Sequence, residues 1–225
     1  MVSIATLANG CFWCTEATLQ LLRGVMQVTP GYTGGHTDNP NYREVCTGAT
    51  GHAEAVQVHF DEEIISYNDL LTIYFLTHDP TTLNRQGGDI GTQYRSAIFT
   101  HTEEQKTIAN ELISELTKQD LWKDPIVTEV CDFNIFYEAE DYHVNYFTNN
   151  SNASYCTYVI DPKGAKLREH FLQYLKLNHA KSYKFSNSRS PAHAEISHDL
   201  VFWGTNRNRT SDGTASPRVV ATGNY

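Results

Sequence analysis

The stretch VSIATLANGCFWCTEATLQLL, residues 2–22, joins two kinds of pattern through a turn. Positions 2–8 form a short, largely apolar run that ends at Asn9-Gly10, a pair that favours tight turns. From Thr15 onward the apolar Ala17, Leu21 and Leu22 follow helical spacing. Strand, turn and helix in succession put Cys11 at the head of a helix. The alternation then continues down the chain. Residues 25–32 and 55–60 read as strands, and Ser66 is placed to cap a helix carrying Leu70, Leu71, Tyr74 and Phe75. A further strand is expected at 94–100, a helix capped by Thr102 with Ile108, Leu112, Ile113 and Leu116, and a last strand at 126–133. Residues 34–51 and 79–93 are polar, Gly-rich segments of a length that loops reach when they carry function. The expected architecture is α+β: a two-layer α/β sandwich with a ferredoxin-like core, a mixed sheet and a coil-rich C-terminal segment, the two loops meeting near the Cys11 turn. Residues 1–180 are expected to form the catalytic domain and 181–225, rich in Ser, Asn, Thr and Arg, a flexible tail.

Composition narrows the function. The 225 residues carry 17 Lys and Arg against 26 Asp and Glu, a formal charge of −9, and no basic cluster, which argues against nucleic acid as a partner. No apolar run is long enough to span a bilayer and the start lacks a secretory pattern, so a cytoplasmic enzyme without membrane attachment is expected. A monomer is expected, since no heptad pattern marks an interface. The five cysteines, Cys11, Cys14, Cys46, Cys131 and Cys156, form an odd and irregular set that suits reactive thiols better than a disulfide framework.

A thiol of pKa about 8.5 is mostly protonated at neutral pH. A helix N-terminus stabilises its anion through unpaired N–H groups and the macrodipole, which makes Cys11 a candidate nucleophile. Cys14, three residues on, shares its helical face. By itself Cys-x-x-Cys is compatible with half a zinc site, a thioredoxin-like pair, or one reactive thiol beside a structural one. Zinc requires further ligands, and no second such pair exists, although His36 and His52 stand in the first loop. Phe12 and Trp13 between the cysteines suggest an apolar substrate group. Glu54, where the Gly-rich loop enters hydrophobic sequence, is expected to have a raised pKa and to donate a proton. Tyr42 and Tyr94, in and beside the two loops, can hydrogen-bond a polar oxygen, and Asp89 can orient one of them. Cys46 and Cys131 read as small, inert, packed residues. A non-catalytic binding module built on Phe12 and Trp13 and a general disulfide oxidoreductase using Cys11 and Cys14 remain alternatives from other classes.

The segments GCFWCTEA, GYTGGHTDNPNYREVCTGATGHAEAVQVHFD and HDPTTLNRQGGDIGTQYRSAIF, followed by FYEAEDYHVNYF and SYCTYVIDPKGAKLR, resemble the A-type peptide methionine sulfoxide reductases in order and spacing over residues 3–175. The resemblance implies reduction of methionine-S-sulfoxide, free or in proteins, in the repair of oxidative damage, with no metal or organic cofactor. By motif position it makes Cys11 the nucleophile, Glu54 the proton donor, Tyr42, Tyr94 and Asp89 the polar groups at the sulfoxide oxygen, and Phe12 and Trp13 the pocket for the methyl group. It further implies a Cys11 sulfenic acid resolved by Cys156 or Cys14, or by relay through both, and regeneration by thioredoxin or another dithiol. Position 14 departs from the commonest family pattern, which has Gly there.

Overall fold

A short strand that feeds a helix must bury one face against something, and here the partner is a sheet assembled from distant segments. The computed structural model describes residues 1–150, 160, 167, 168 and 171–176; the tail expected at 181–225 lies outside them. Strands β1 (Val2–Asn9), β2 (Val25–Thr33) and β3 (Ala53–Asp61) are followed by β6 (Ser96–Thr100), β7 (Glu129–Asp132) and β8 (Phe136–Glu138) in one sheet of order β7-β6-β1-β3-β2-β8. A hairpin of β4 (Arg85–Gln86) and β5 (Asp89–Ile90) stands apart. β3 runs antiparallel to both β1 and β2, and β6 runs antiparallel to β1. The inner order β6-β1-β3-β2, with helices α1 (Phe12–Leu19) and α3 (Tyr67–Leu76) in the crossovers, is the split βαβ arrangement of ferredoxin-like folds. Only β7 lies parallel to its neighbour β6, after α4 (Glu103–Lys118), so the sheet is mixed.

Period-two alternation sorts the strand residues. Ala5 and Leu7 of β1, Val28 and Tyr32 of β2, and Val56, Val58 and Phe60 of β3 join Leu70, Leu71, Ile73 and Tyr74 of α3 and Ala109, Leu112 and Leu116 of α4 in the main core. Ala8, Ala53, Ala55, Ala97 and Phe99 pack on the opposite face. The two caps read from sequence are present: the Ser66 hydroxyl accepts from the Asp69 amide at 3.0 Å and Thr102 from the Gln105 amide at 3.1 Å. Each such cap is worth about 1 kcal/mol.

Three local expectations need correction. Residues 34–51 are not wholly loop, because Asn41 and Glu44 form a reciprocal capping box that starts a five-residue helix α2 (Tyr42–Cys46). Helix α1 begins earlier than its apolar spacing suggests, since the Cys14 and Thr15 amides already bond the Cys11 carbonyl. Tyr94 belongs to a 3-10 turn (Thr92–Tyr94) ahead of β6, which leaves its side chain outside the ladder. The chain closes on itself at its described end: Leu175 bridges Leu22 and the Lys176 ammonium donates to the Gln20 carbonyl at 2.8 Å, the C-terminal end of α1.

Candidate active site

Gly10 turns the chain from β1 into α1 with φ +100°, a conformation that suits glycine. A Cβ at this position would lie 2.6 Å from Gln86 Cβ. Gln86 is itself pinned, accepting from the Asp79 amide at 3.2 Å and donating to the Asp79 carbonyl at 3.1 Å. The β4–β5 hairpin is therefore seated on the cysteine turn, and it carries Asp89 with it. Cys11 occupies the N-cap of α1 in extended conformation. The Thr15 hydroxyl donates to the Asn9 side chain and ties the turn from beneath.

Glu54 continues the helix-facing row of β3 beyond Phe60, Val58 and Val56, opposite Tyr32 of β2. At the end of that row the apolar core stops and the cysteine turn begins. Its Oε2 accepts the Phe12 amide at 3.1 Å, so a first-turn N–H expected to face the thiolate serves a carboxyl instead. Glu54 is 1% exposed. Burial pushes its pKa up to about 8; the Phe12 amide opposes the shift, and Asp89 and Cys14 add to it. At neutral pH it holds a proton that it can give to a reacting oxygen.

The two loops converge here. Tyr94 interacts electrostatically with Glu54, Asp89, Cys46 and Cys11. Tyr42 stacks on Phe12 with ring centroids 6.4 Å apart and also sees Glu54. Burial raises both phenols, so both remain protonated donors. Cys46 is not a packed residue: it is exposed and shares a hydrogen bond with Tyr42, because helix α2 puts positions four apart on one face. Cys131 likewise is only half-buried, on the edge strand β7.

The structure adds residues that the motifs did not single out. The Tyr32 hydroxyl donates to Glu140 Oε2 at 2.9 Å, and the Tyr42 amide donates to Glu140 Oε1 at 2.9 Å. Although burial opposes it, the Tyr42 amide, the Tyr32 hydroxyl and His143 hold the Glu140 carboxyl below its usual range. His143 Nδ1 accepts the Trp13 indole N–H at 3.0 Å. Burial holds the imidazole below its usual pKa, and a neutral ring accepting at Nδ1 carries its proton on Nε2, 3.6 Å from Glu140. Phe12, Trp13, Tyr42 and His143 thus wall one apolar space, with Phe12 and His143 ring centroids 5.0 Å apart and Tyr42 and His143 4.6 Å apart. Tyr146 lies flat on Trp13, centroids 3.7 Å apart at 8°. A signal for these residues stood in the tyrosine- and acid-rich segment 136–147, without anything to show which of them turn inward.

Cys11 and Cys14 are both buried, in a cluster with Ile160 against which Trp13, Ala17, Tyr94, Tyr146 and Phe147 pack. Cys156 lies outside the described residues. No group of three or more His, Cys, Asp and Glu among the described residues is arranged to hold a metal ion. His52 organises its own loop, its Nδ1 accepting the Gly35 amide at 3.1 Å and its Nε2 lying 2.7 Å from the Thr37 carbonyl. No helix among the described residues is long and apolar enough to cross a membrane.

The sequence profile of a family described as peptide methionine sulfoxide reductase matches residues 3–175. The peptide methionine sulfoxide reductase MsrA of Deinococcus radiodurans is 58% identical over 167 residues, which cover 74% of this chain and 81% of that protein. The protein of the same name from Saccharolobus solfataricus is 52% identical over 177 residues, 79% of this chain and 99% of that one. Among solved structures, reduced Mxr1 from Saccharomyces cerevisiae aligns with a TM-score of 0.64 at 35% identity, covering 69% of this chain and 89% of that chain.

Proposed function

The chain belongs to the peptide methionine sulfoxide reductase family and is an oxidoreductase of methionine sulfoxide, and we propose that Cys11 is its nucleophile, Glu54 its proton donor, and the S epimer its substrate. The observation that carries the reading is the buried Glu54 carboxyl, raised in pKa and bonded to the first amide of the helix that Cys11 caps.

The sulfoxide sulfur is electrophilic, and the Cys11 thiolate attacks it while the oxygen takes the Glu54 proton. Tyr42 and Tyr94 donate hydrogen bonds to that oxygen as it becomes a hydroxyl, and Asp89 orients the group from the hairpin. Phe12 and Trp13 receive the methyl group. The S–O bond and the new S–S bond of the adduct then break as the hydroxyl passes to the Cys11 sulfur, which releases methionine and leaves Cys11 as a sulfenic acid. A second thiol then displaces that hydroxyl as water and forms a disulfide, which an external dithiol such as thioredoxin reduces by exchange. Two electrons thereby pass from the dithiol to the sulfoxide, and water is the second product.

For the second thiol we favour Cys156 over Cys14. Ile160, four residues after Cys156, packs against Cys11 and Cys14, and four residues of chain reach at most about 14 Å. Cys14 is the alternative, buried in the same cluster. We read residues 1–180 as the catalytic domain, since residues 174–176 pack back on the turn between α1 and β2. The enzyme acts as a cytoplasmic monomer on oxidised proteins or free methionine sulfoxide, and it uses thiols, a carboxyl and hydroxyls rather than a metal or organic cofactor.

Assay of both sulfoxide epimers with dithiothreitol and with thioredoxin tests this. S-epimer turnover in the parent and none in Cys11→Ser is expected; turnover by Cys11→Ser would overturn the assignment. Loss of thioredoxin-supported turnover in Cys156→Ser alone assigns the resolver, whereas loss in Cys14→Ser alone moves it to the helix.

A further inference from the structure

We propose that Glu16 is a positioning residue for substrate binding: by holding the backbone at Asn145 and Tyr146 it seats the Tyr146 ring on Trp13 and fixes the apolar wall that meets the sulfoxide's methyl group. The inference rests on the reading of Phe12 and Trp13 as that wall. Glu16 follows Phe12 by four positions and Trp13 by three, so all three share a face of α1. It is 1% exposed, and its Oε1 accepts the Asn145 amide at 2.8 Å, with the Tyr146 amide as a second donor. A buried carboxyl is costly unless hydrogen bonds compensate it, and here the compensation comes from backbone 129 positions away. Burial pushes its pKa up to about 7 and the two amides pull it back.

Asn145 is left-handed, with φ 55°, and the Gln20 side-chain Nε2 donates to its Oδ1 at 2.9 Å. Helix α1 therefore grips this bend at two successive turns. The same short segment meets the indole twice, His143 at its N–H edge and Tyr146 on its face. Glu16 ties that segment to the helix that carries Trp13. Its carboxyl bonds the Asn145 and Tyr146 amides, so its loss is expected to fall on binding and not on the reaction.

The test uses the full chain, a peptide containing methionine-S-sulfoxide, and dithiothreitol as reductant. Glu16→Ala is expected to raise KM about tenfold, and Glu16→Gln less because it keeps one acceptor oxygen, with the saturated rate held within about twofold. Tyr146→Ala should raise KM to the same extent, and the Glu16→Ala, Tyr146→Ala double variant no further, because both remove one interaction. Hydrogen exchange at the Asn145 and Tyr146 amides should quicken in Glu16→Ala. Additive effects in the double variant, a fall in saturated rate with KM unmoved, or unchanged exchange overturns the inference. KM unmoved in the Glu16 variants but raised in Trp13→Ala overturns it alone, whereas KM unmoved in Trp13→Ala as well overturns the wall reading beneath it. If Glu16→Ala does not fold, Glu16→Gln and Tyr146→Ala carry the same comparison.

Discussion

Two buried carboxyls flank the head of helix α1, and they differ in what surrounds them. Glu54 comes from the sheet, accepts one backbone amide from Phe12, and has Asp89 and Cys14 as neighbours that disfavour its charge. Glu16 comes from the helix and accepts two amides, from Asn145 and Tyr146, both of which favour its charge. Burial raises both, Glu54 to about 8 and Glu16 to about 7. Glu54 stands among tyrosines with hydroxyls to share, whereas Glu16 is sealed by the segment it holds. One residue type, buried in both places, thus suits a proton donor in the first setting and a structural acceptor in the second, because the number of amides and the sign of the neighbours differ.

The contrast is broken most directly at Glu54. Glu54→Gln keeps the shape but removes the proton, and the rate of sulfenic acid formation in a single turnover should fall about 100- to 10,000-fold, the usual worth of general acid catalysis. Glu16→Gln should leave that rate within about twofold. In the parent, the same rate should decline as pH rises past about 8, where Glu54 loses its proton; a flat alkaline limb would remove Glu54 from the role.

Stability offers a second separation. A carboxyl whose pKa is raised on folding binds its proton more tightly in the native state, so its contribution to stability is lost as pH rises from the unfolded value of 4.5 through about 8. Denaturant unfolding should find Glu54→Gln more stable than the parent above pH 8, by up to about 5 kcal/mol, with the difference shrinking towards pH 5. Glu54→Gln that is no more stable at high pH would mean that the carboxyl ionises without penalty.

Gly10→Ala should cost about 2–4 kcal/mol, since it combines a left-handed backbone with a Cβ 2.6 Å from Gln86 Cβ. By lifting the hairpin it should impair the Glu54 side, which Asp89 serves, and leave hydrogen exchange at Asn145 and Tyr146 unchanged. The smallest effects belong to the hydroxyls. Tyr42→Phe and Tyr94→Phe should each lower kcat/KM by about tenfold, the worth of one hydrogen bond to a developing hydroxyl. Loss of activity as complete as in Cys11→Ser would give the phenol a larger part.

Much of this was legible in the chain. The Asn9-Gly10 turn placed Cys11 at a helix head, and Ser66 and Thr102 marked two helix starts, because caps and tight turns depend on residues a few positions apart. Helix α2 was hidden: five residues are too few to show apolar periodicity, and its Asn41–Glu44 capping box lies in a run of Gly, Asp and Pro that reads as loop. Glu54 could be named from its position at the entry to a strand. Nothing comparable marked Glu16, which looks like an ordinary polar residue of an amphipathic helix.

The sequence alone pointed to strands β1, β2, β3, β6 and β7 and helices α1, α3 and α4 in order, to the glycine turn, to a cysteine at a helix start and, through its motifs, to the kind of chemistry to expect. Only the tertiary structure decided which acids face inward and what they hold: Glu140 beneath Tyr32 and Tyr42, His143 on the Trp13 indole, and Glu16 on the bend at Asn145. Local hydrogen bonds and periodicity are written within a few residues of chain. The charge state of a buried group depends instead on how much water is excluded and which amides arrive, and those amides lie 42 positions away for Glu54 and 129 for Glu16.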